Sequence, residues 1–217
     1  ADGAGRVMLA RGSNFGPDLD DRDGLPSALT TLAFGVTPEP GGDFGRAMVG
    51  CDFDGDGFSD LAIGAPGQDK VFVLYGKSGP KQVLSGAGRF GSALAAGDFD
   101  GDGRDDLAVG APGEFSGGDG AVLSFYGGPS ALAGSTRFNE GSVGGTAGDG
   151  QAFGSVLAAG DFDGDGIAEV VIGVPDAPVA GANSAGIVYV TRAFDPAFLF
   201  VDGFEEDGTA SWSAVVP

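Results

Sequence analysis

Three stretches of the chain superimpose without a gap, and a fold reading that overlooked such a repeat would fail at the start. They are FGRAMVGCDFDGDGFSDLAIGAP at Phe44–Pro66, FGSALAAGDFDGDGRDDLAVGAP at Phe90–Pro112 and FGSVLAAGDFDGDGIAEVVIGVP at Phe153–Pro175. The first two begin 46 residues apart and the second and third 63 apart. The surplus falls in the glycine-rich stretch Gly113–Gly150, which reads as a loop insertion. A second element follows each block: KVFVLYG at Lys70–Gly76, AVLSFYG at Ala121–Gly127 and GIVYVTR at Gly186–Arg192. A fourth copy, GRVMLARG at Gly5–Gly12, has no block ahead of it, so the chain opens partway through a unit.

Each unit reads as short strands. Ser92, Leu94 and Ala96 alternate with Ala93 and Ala95, Leu107–Val109 is a short apolar run, and Val71–Tyr75 is aromatic or aliphatic throughout. With 44 glycines and 12 prolines among 217 residues, turns recur and no stretch carries a capped 3.6-residue period, so little helix is expected. Three or four strands per unit at this spacing predict an all-β fold, a β-propeller whose blades must stack to bury their faces. The expected organisation is a propeller over 1–195, made of a partial unit 1–43 and units 44–89, 90–152 and 153–195. Residues 196–217 follow as a tail or as closing strands.

Charge and residue usage remove whole classes of function. Acids number 31 against 11 bases, a formal −20, which argues against nucleic acid and anionic membrane surfaces as partners. Histidine is absent, so Ser-His-Asp and Cys-His catalysis are excluded. The single Cys51 rules out an intrachain disulfide. It takes the place of Gly97 and Gly160 before the acidic loops, either as a small packing residue or as a thiol open to intermolecular bonding. No apolar run is long enough to span a membrane as a helix. The chain starts at Ala1 with no leader-like segment, as after removal of a targeting peptide or in a piece of a longer protein.

Inside every block lies a nonapeptide with acids at positions 1, 3, 5 and 9 and glycine at 6. The sets are Asp52, Asp54, Asp56, Asp60; Asp98, Asp100, Asp102, Asp106; and Asp161, Asp163, Asp165, Glu169. Three acids within five residues repel one another unless a cation neutralises them, and all-oxygen donors suit a hard divalent ion at ~2.3–2.6 Å. Calcium is favoured, with manganese and magnesium as alternatives. The seventh residues, Phe58, Arg104 and Ile167, would each add a backbone carbonyl. An EF-hand is excluded, because position 12 holds Ile63, Val109 and Ile172 instead of glutamate. One ion per hairpin is expected to act as a structural staple, and three divalent ions would bring the formal charge from −20 to about −14. Phe53, Phe99 and Phe162, at position 2, are expected to pack beneath the loops, and Arg104 with Asp105 to form a solvated rim. The stretch Asp18, Asp20, Asp21, Asp23, Gly24 echoes the pattern out of register, with Ser27 where the ninth acid would be, and reads as a turn or a degenerate site.

At these residues the chain resembles the FG-GAP repeat family, the blade unit of integrin α-subunit propellers. The similarity spans Phe44 to about Arg192 plus Gly5–Gly12. It implies calcium bound by the DxDxDGxxD loops between the first two strands of a blade, hence three calcium sites at the residues named. Propellers of that family usually have seven blades. With three units and a fraction, the chain either closes as a four-bladed ring or forms an open arc completed by other copies. Ring closure would place strands around Val7–Leu9 and Thr30–Phe34 beside C-terminal strands in one blade. The terminal LFVDGFEEDGTASWS is similar to a short segment that ends many secreted bacterial proteins. It can equally be a hairpin giving Phe200, Phe204 and Trp212 to the last blade, or a strand that docks on a neighbour.

Taken together, these features predict a calcium-binding, secreted structural or adhesive module at a bacterial cell surface, a homo-oligomer or a chain that self-assembles into a surface or filamentous structure. The alternative is a module that recognises a protein or glycan through loops such as Gly113–Gly120 and Gly141–Gly150. Only six glutamates occur, at 39, 114, 140, 169, 205 and 206, Glu169 is already a loop ligand, and no acid pair stands out from the loops, so no enzyme is expected.

Overall fold

The structure is a computed structural model and describes residues 5–8, 11–13, 16–18, 28–29, 31–76, 80–114, 119–143, 152–178, 185–192 and 195–202. The strands run, in chain order, β1 (Val7–Met8), β2 (Arg11–Ser13), β3 (Gly16–Asp18), β4 (Ala28–Leu29), β5 (Met48–Cys51), β6 (Asp60–Ala65), β7 (Lys70–Leu74) and β8 (Lys81–Ser85). They continue as β9 (Leu94–Gly97), β10 (Asp106–Ala111), β11 (Ala121–Tyr126), β12 (Ala133–Phe138), β13 (Val156–Gly160), β14 (Glu169–Val174), β15 (Ile187–Arg192) and β16 (Asp195–Asp202). No α-helix occurs among the described residues; Thr31–Phe34 and Glu140–Val143 are single 3-10 turns.

Each repeat folds as one antiparallel four-stranded sheet in up-and-down order: β5-β6-β7-β8, β9-β10-β11-β12 and β13-β14-β15-β16. The first strand β9 lies next to both β5 and β13, so the sheets stack around their first strands as propeller blades do. The chain is therefore an all-β protein with the architecture of an open or partial β-propeller.

The register makes the repeat quantitative. Leu61 faces Leu74, Leu107 faces Phe125 and Val170 faces Thr191, which aligns Tyr75, Tyr126 and Arg192 as one position. The residue that turns into the third strand has positive φ every time: Gly120 (83°), Gly186 (85°) and Asp69 (52°). Gly5 (77°) matches them, and its parallel bridge to Phe44 repeats that of Gly120 to Phe153. Thus β1 and β4, which pair antiparallel, occupy the places of third and fourth strands ahead of the first full blade. The 3-10 turn after β4 corresponds to the one after β12. Thr30–Phe34 is accordingly a helical turn at 31–34, not the strand expected from sequence, and among the described residues β1 pairs with Ala28–Leu29. Gly113–Gly150, read as a loop insertion, instead carries β11, β12 and the second turn.

The cores lie between sheets, because a four-stranded sheet has two faces and no partner of its own. Val7, Phe44, Ile63, Ala65 and Phe72 fill the first gap. Phe53, Val71 and Val73 meet Phe90, Leu107 and Val109 in the second, and Phe99, Val122 and Val143 meet Phe153, Ile172 and Tyr189 in the third. Between blades the backbones touch. A Cβ on Gly64 would stand 2.1 Å from the carbonyl oxygen of Gly91, and one on Gly110 1.9 Å from that of Gly154. The glycine of the IGAP sequence is therefore a contact requirement, met by the FG turn of the next repeat.

The fourth strand of the last blade pairs Phe200 with Val190. Phe204 and Trp212 lie outside the described residues, as do Asp20, Asp21, Asp23, Gly24 and Ser27 of the acidic stretch near the start.

Candidate metal centre

In each blade the acidic loop joins the first strand to the second, and its own carboxylates fold it. Asp52 Oδ1 accepts from Gly55 N (2.9 Å) and Asp56 N (3.1 Å), and its Oδ2 accepts from Gly57 N (2.9 Å). Asp98 and Asp161 repeat this pattern at 2.7–3.2 Å. The glycine at position 6 has φ of 84°, 86° and 92° in the three loops, the left-handed geometry the turn needs.

The ninth acid begins the second strand and is buried: Asp60 is 3 % exposed, Asp106 1 % and Glu169 1 %. One of its oxygens takes the amide of position 2, from Phe53 (2.8 Å), Phe99 (2.9 Å) and Phe162 (2.9 Å). In the first two blades the other oxygen takes an amide from beyond the third strand, Gly76 or Gly127, each at 2.7 Å. These two glycines escape sequence reasoning because their amides, not their side chains, do the work.

This folding gathers positions 1, 3 and 9. Asp52, Asp54 and Asp60 each place an oxygen within 4.8 Å of the others, as do Asp98, Asp100 and Asp106, and Asp161, Asp163 and Glu169. The fifth acids Asp56, Asp102 and Asp165 stand outside those groups and cap the amides of Phe58, Arg104 and Ile167 at 2.8–2.9 Å. The seventh residues are thus tied to their loops through nitrogen.

Burial pushes the Asp106 carboxyl up to about 6, with the Asp100 and Asp98 charges adding to it against the amides of Gly127 and Phe99. Asp60 is raised for the same reason, by burial and then by Asp54 and Asp52. Both acids hold negative charge at a cost that a nearby cation would remove. An all-oxygen donor set with one buried carboxylate among more exposed ones fits a hard divalent ion, since the oxygens that accept a single amide, such as Oδ2 of Asp52, keep a lone pair.

The loops are also joined to one another. The carbonyl of Asp52 accepts from Asp105 N (3.1 Å), and that of Asp98 from Ala168 N (2.8 Å). Arg104 lies over Gly55, and Ile167 over Gly101. Asp105, expected on a solvated rim, is instead half-buried and returns a bond, its Oδ2 accepting Asp52 N at 2.9 Å. Arg104 pairs with Asp102 at 2.7 Å. Beside them, burial and then the Asp105 charge push the Cys51 thiol up to about 12, which keeps it protonated and a poor nucleophile.

The position 2 phenylalanines divide. Phe53 and Phe99 are 0 % and 1 % exposed under the next blade, as expected, but Phe162 is 64 % exposed. Its blade is the last, and among the described residues nothing stands where Leu107 or Ile172 stands for the other two.

No helix among the described residues is long and apolar enough to cross a membrane. No curated protein matches the chain. The family model for the FG-GAP repeat matches residues 44–83, 90–125 and 153–191, so each match opens at the FG turn of a blade and reaches its third strand or beyond. Repeats of this kind often bind calcium and are typical of extracellular proteins. With more than half of its 217 residues matched, the chain belongs to the FG-GAP repeat family.

Proposed function

We propose that this protein is a secreted, calcium-stabilised structural or adhesive module, with calcium at the three acidic loops and a tendency to assemble with copies of itself. The observation that carries the metal is the convergence of positions 1, 3 and 9 onto a buried acid in every blade. Calcium here would be held by Asp52, Asp54 and Asp60 and their counterparts. Asp56, Asp102 and Asp165, with the carbonyls of Phe58, Arg104 and Ile167, would complete the shell. Because the loops also bond across blades, an ion that rigidifies one hairpin stiffens the stack. Its stabilising effect follows RT ln(1 + [Ca]/Kd) and grows at the high calcium of an extracellular medium. Self-assembly is supported by Phe162, which is exposed where its two counterparts are covered by a further blade.

In this proposal the protein serves by holding shape and surface, without catalysis. The test is size-exclusion chromatography with light scattering, run in calcium and then in EGTA. Assemblies that appear in calcium and vanish in EGTA support the proposal. A monomer that melts at the same temperature in both buffers would refute it.

A further inference from the structure

The third loop departs from the other two in the residue that faces its ninth acid. The position that faces the ninth acid across the sheet holds Tyr75, Tyr126 and Arg192. Tyr75 turns its hydroxyl away from the loop, donating to Gln82 Oε1 (2.6 Å) and accepting from Leu132 N (2.6 Å). Tyr126 bonds Thr136. Arg192 turns into the loop: its Nη2 is 2.7 Å from Asp163 Oδ2 and also pairs with Asp165, and its Nε is 3.4 Å from Glu169 Oε1. The guanidinium thus spans positions 3, 5 and 9.

The ninth acid changes along with it. Where Asp60 and Asp106 offer their second oxygen to a glycine amide, the third loop has a glutamate, one methylene longer. Its Oε1 is buried, has no hydrogen-bond partner among the described residues and faces the arginine. Arg104 in the second loop is no parallel, since it pairs with Asp102, which lies outside the converging group.

We propose that Arg192 is the resident cation of the third loop, so that this loop closes on a guanidinium and takes a metal only when that group is displaced. Five N–H donors in one plane can serve several carboxylates at once. A divalent ion needs the same oxygens, so it binds here against two partly exposed ion pairs and one to the buried Glu169, a competition that corresponds to about tenfold in affinity. The metal half of the proposal rests on the calcium reading above, and the guanidinium half does not.

The experiment is calcium titration of the intact chain by native mass spectrometry and calorimetry, for the wild type, Arg192→Gln and Arg192→Lys. Each is also melted in EGTA. The wild type should take two ions alike and a third about tenfold more weakly, and Arg192→Gln should take three alike. In EGTA the Gln variant should melt a few degrees below wild type, with Lys between them. Three equal ions in the wild type, unchanged by Arg192→Gln, overturn the proposal. If no protein binds calcium, the calcium reading fails by itself; the EGTA melts then decide, and melting unmoved by Arg192→Gln overturns the proposal. Should the Gln variant not fold, the wild-type stoichiometry and the Lys variant decide in the same way.

Discussion

Phe53, Phe99 and Phe162 share one position in three repeats, which supplies an internal control for what stacking contributes. Phe99 is 1 % exposed and packs among Ala168, Val170 and Ile172 of the next blade. Burying a phenyl side chain takes about 150–250 Å² out of water, worth at most about 4–6 kcal/mol at ~25 cal/mol per Å². Truncations of buried phenylalanines cost about 3–5 kcal/mol. For a chain of this length each kcal/mol moves the midpoint by about 2–4 °C, so Phe99→Ala should lower Tm by about 6–20 °C. Phe162 is 64 % exposed, and Phe162→Ala should stay within about 0.5 kcal/mol, or roughly 2 °C. Thermal melts by circular dichroism, in calcium and at a concentration where the wild type is monomeric, make the comparison. Equal losses for the two variants would refute the assignment of the core to the gaps between blades.

The same contrast recurs in the backbone. Gly110→Ala drives a Cβ into the Gly154 carbonyl, whereas Gly173→Ala meets only the Val156 side chain at 3.1 Å; chemical denaturation should show the first costing at least ~2 kcal/mol more than the second. Asp54→Ala and Asp100→Ala should each lower Tm in calcium and leave it nearly unchanged in EGTA. Equal shifts in the two buffers would contradict ligation at those residues. Glu140 is buried, accepts the Tyr189 hydroxyl at 2.7 Å and has its carboxyl raised, by burial first and by the Asp119 charge. An acid raised in the folded state favours folding below its ordinary range near ~4.3 and loses that contribution as pH rises through the raised value. Glu140→Gln, which keeps an acceptor for Tyr189, should therefore gain stability relative to wild type as pH goes from 4 to 7, read from denaturation midpoints. A constant difference across that range would sink the assignment.

The blades were legible because their signals are local. The FG turn, the acidic loop with its sixth glycine and the apolar run before the Ala-Pro turn each dictate a backbone shape within a few residues. Four-stranded sheets then follow from strand count and spacing. What stayed hidden depends on partners far along the chain. Thr31–Phe34 looks strand-like, yet it is the turn that ends a half-blade whose third strand is Val7–Met8. Asp105 looks like rim because its partner, the Asp52 amide, lies 53 residues away. The loop acids were readable as a set, but their division into a converging trio and an amide-capping fifth member required coordinates. Arg192 carried a faint signal: it departs from the tyrosine of the other two units just where aspartate becomes glutamate, though the one-residue offset of the GIVYVTR copy obscured the match.

Where Gly64 and Gly110 abut the following FG turn, main chain rests on main chain. The distance between neighbouring sheets at that height is set by peptide geometry, whatever side chains flank it. Those two points act as fixed pivots, and substitutions elsewhere in the gaps can alter how firmly the blades are clasped without changing the pitch at which one follows another.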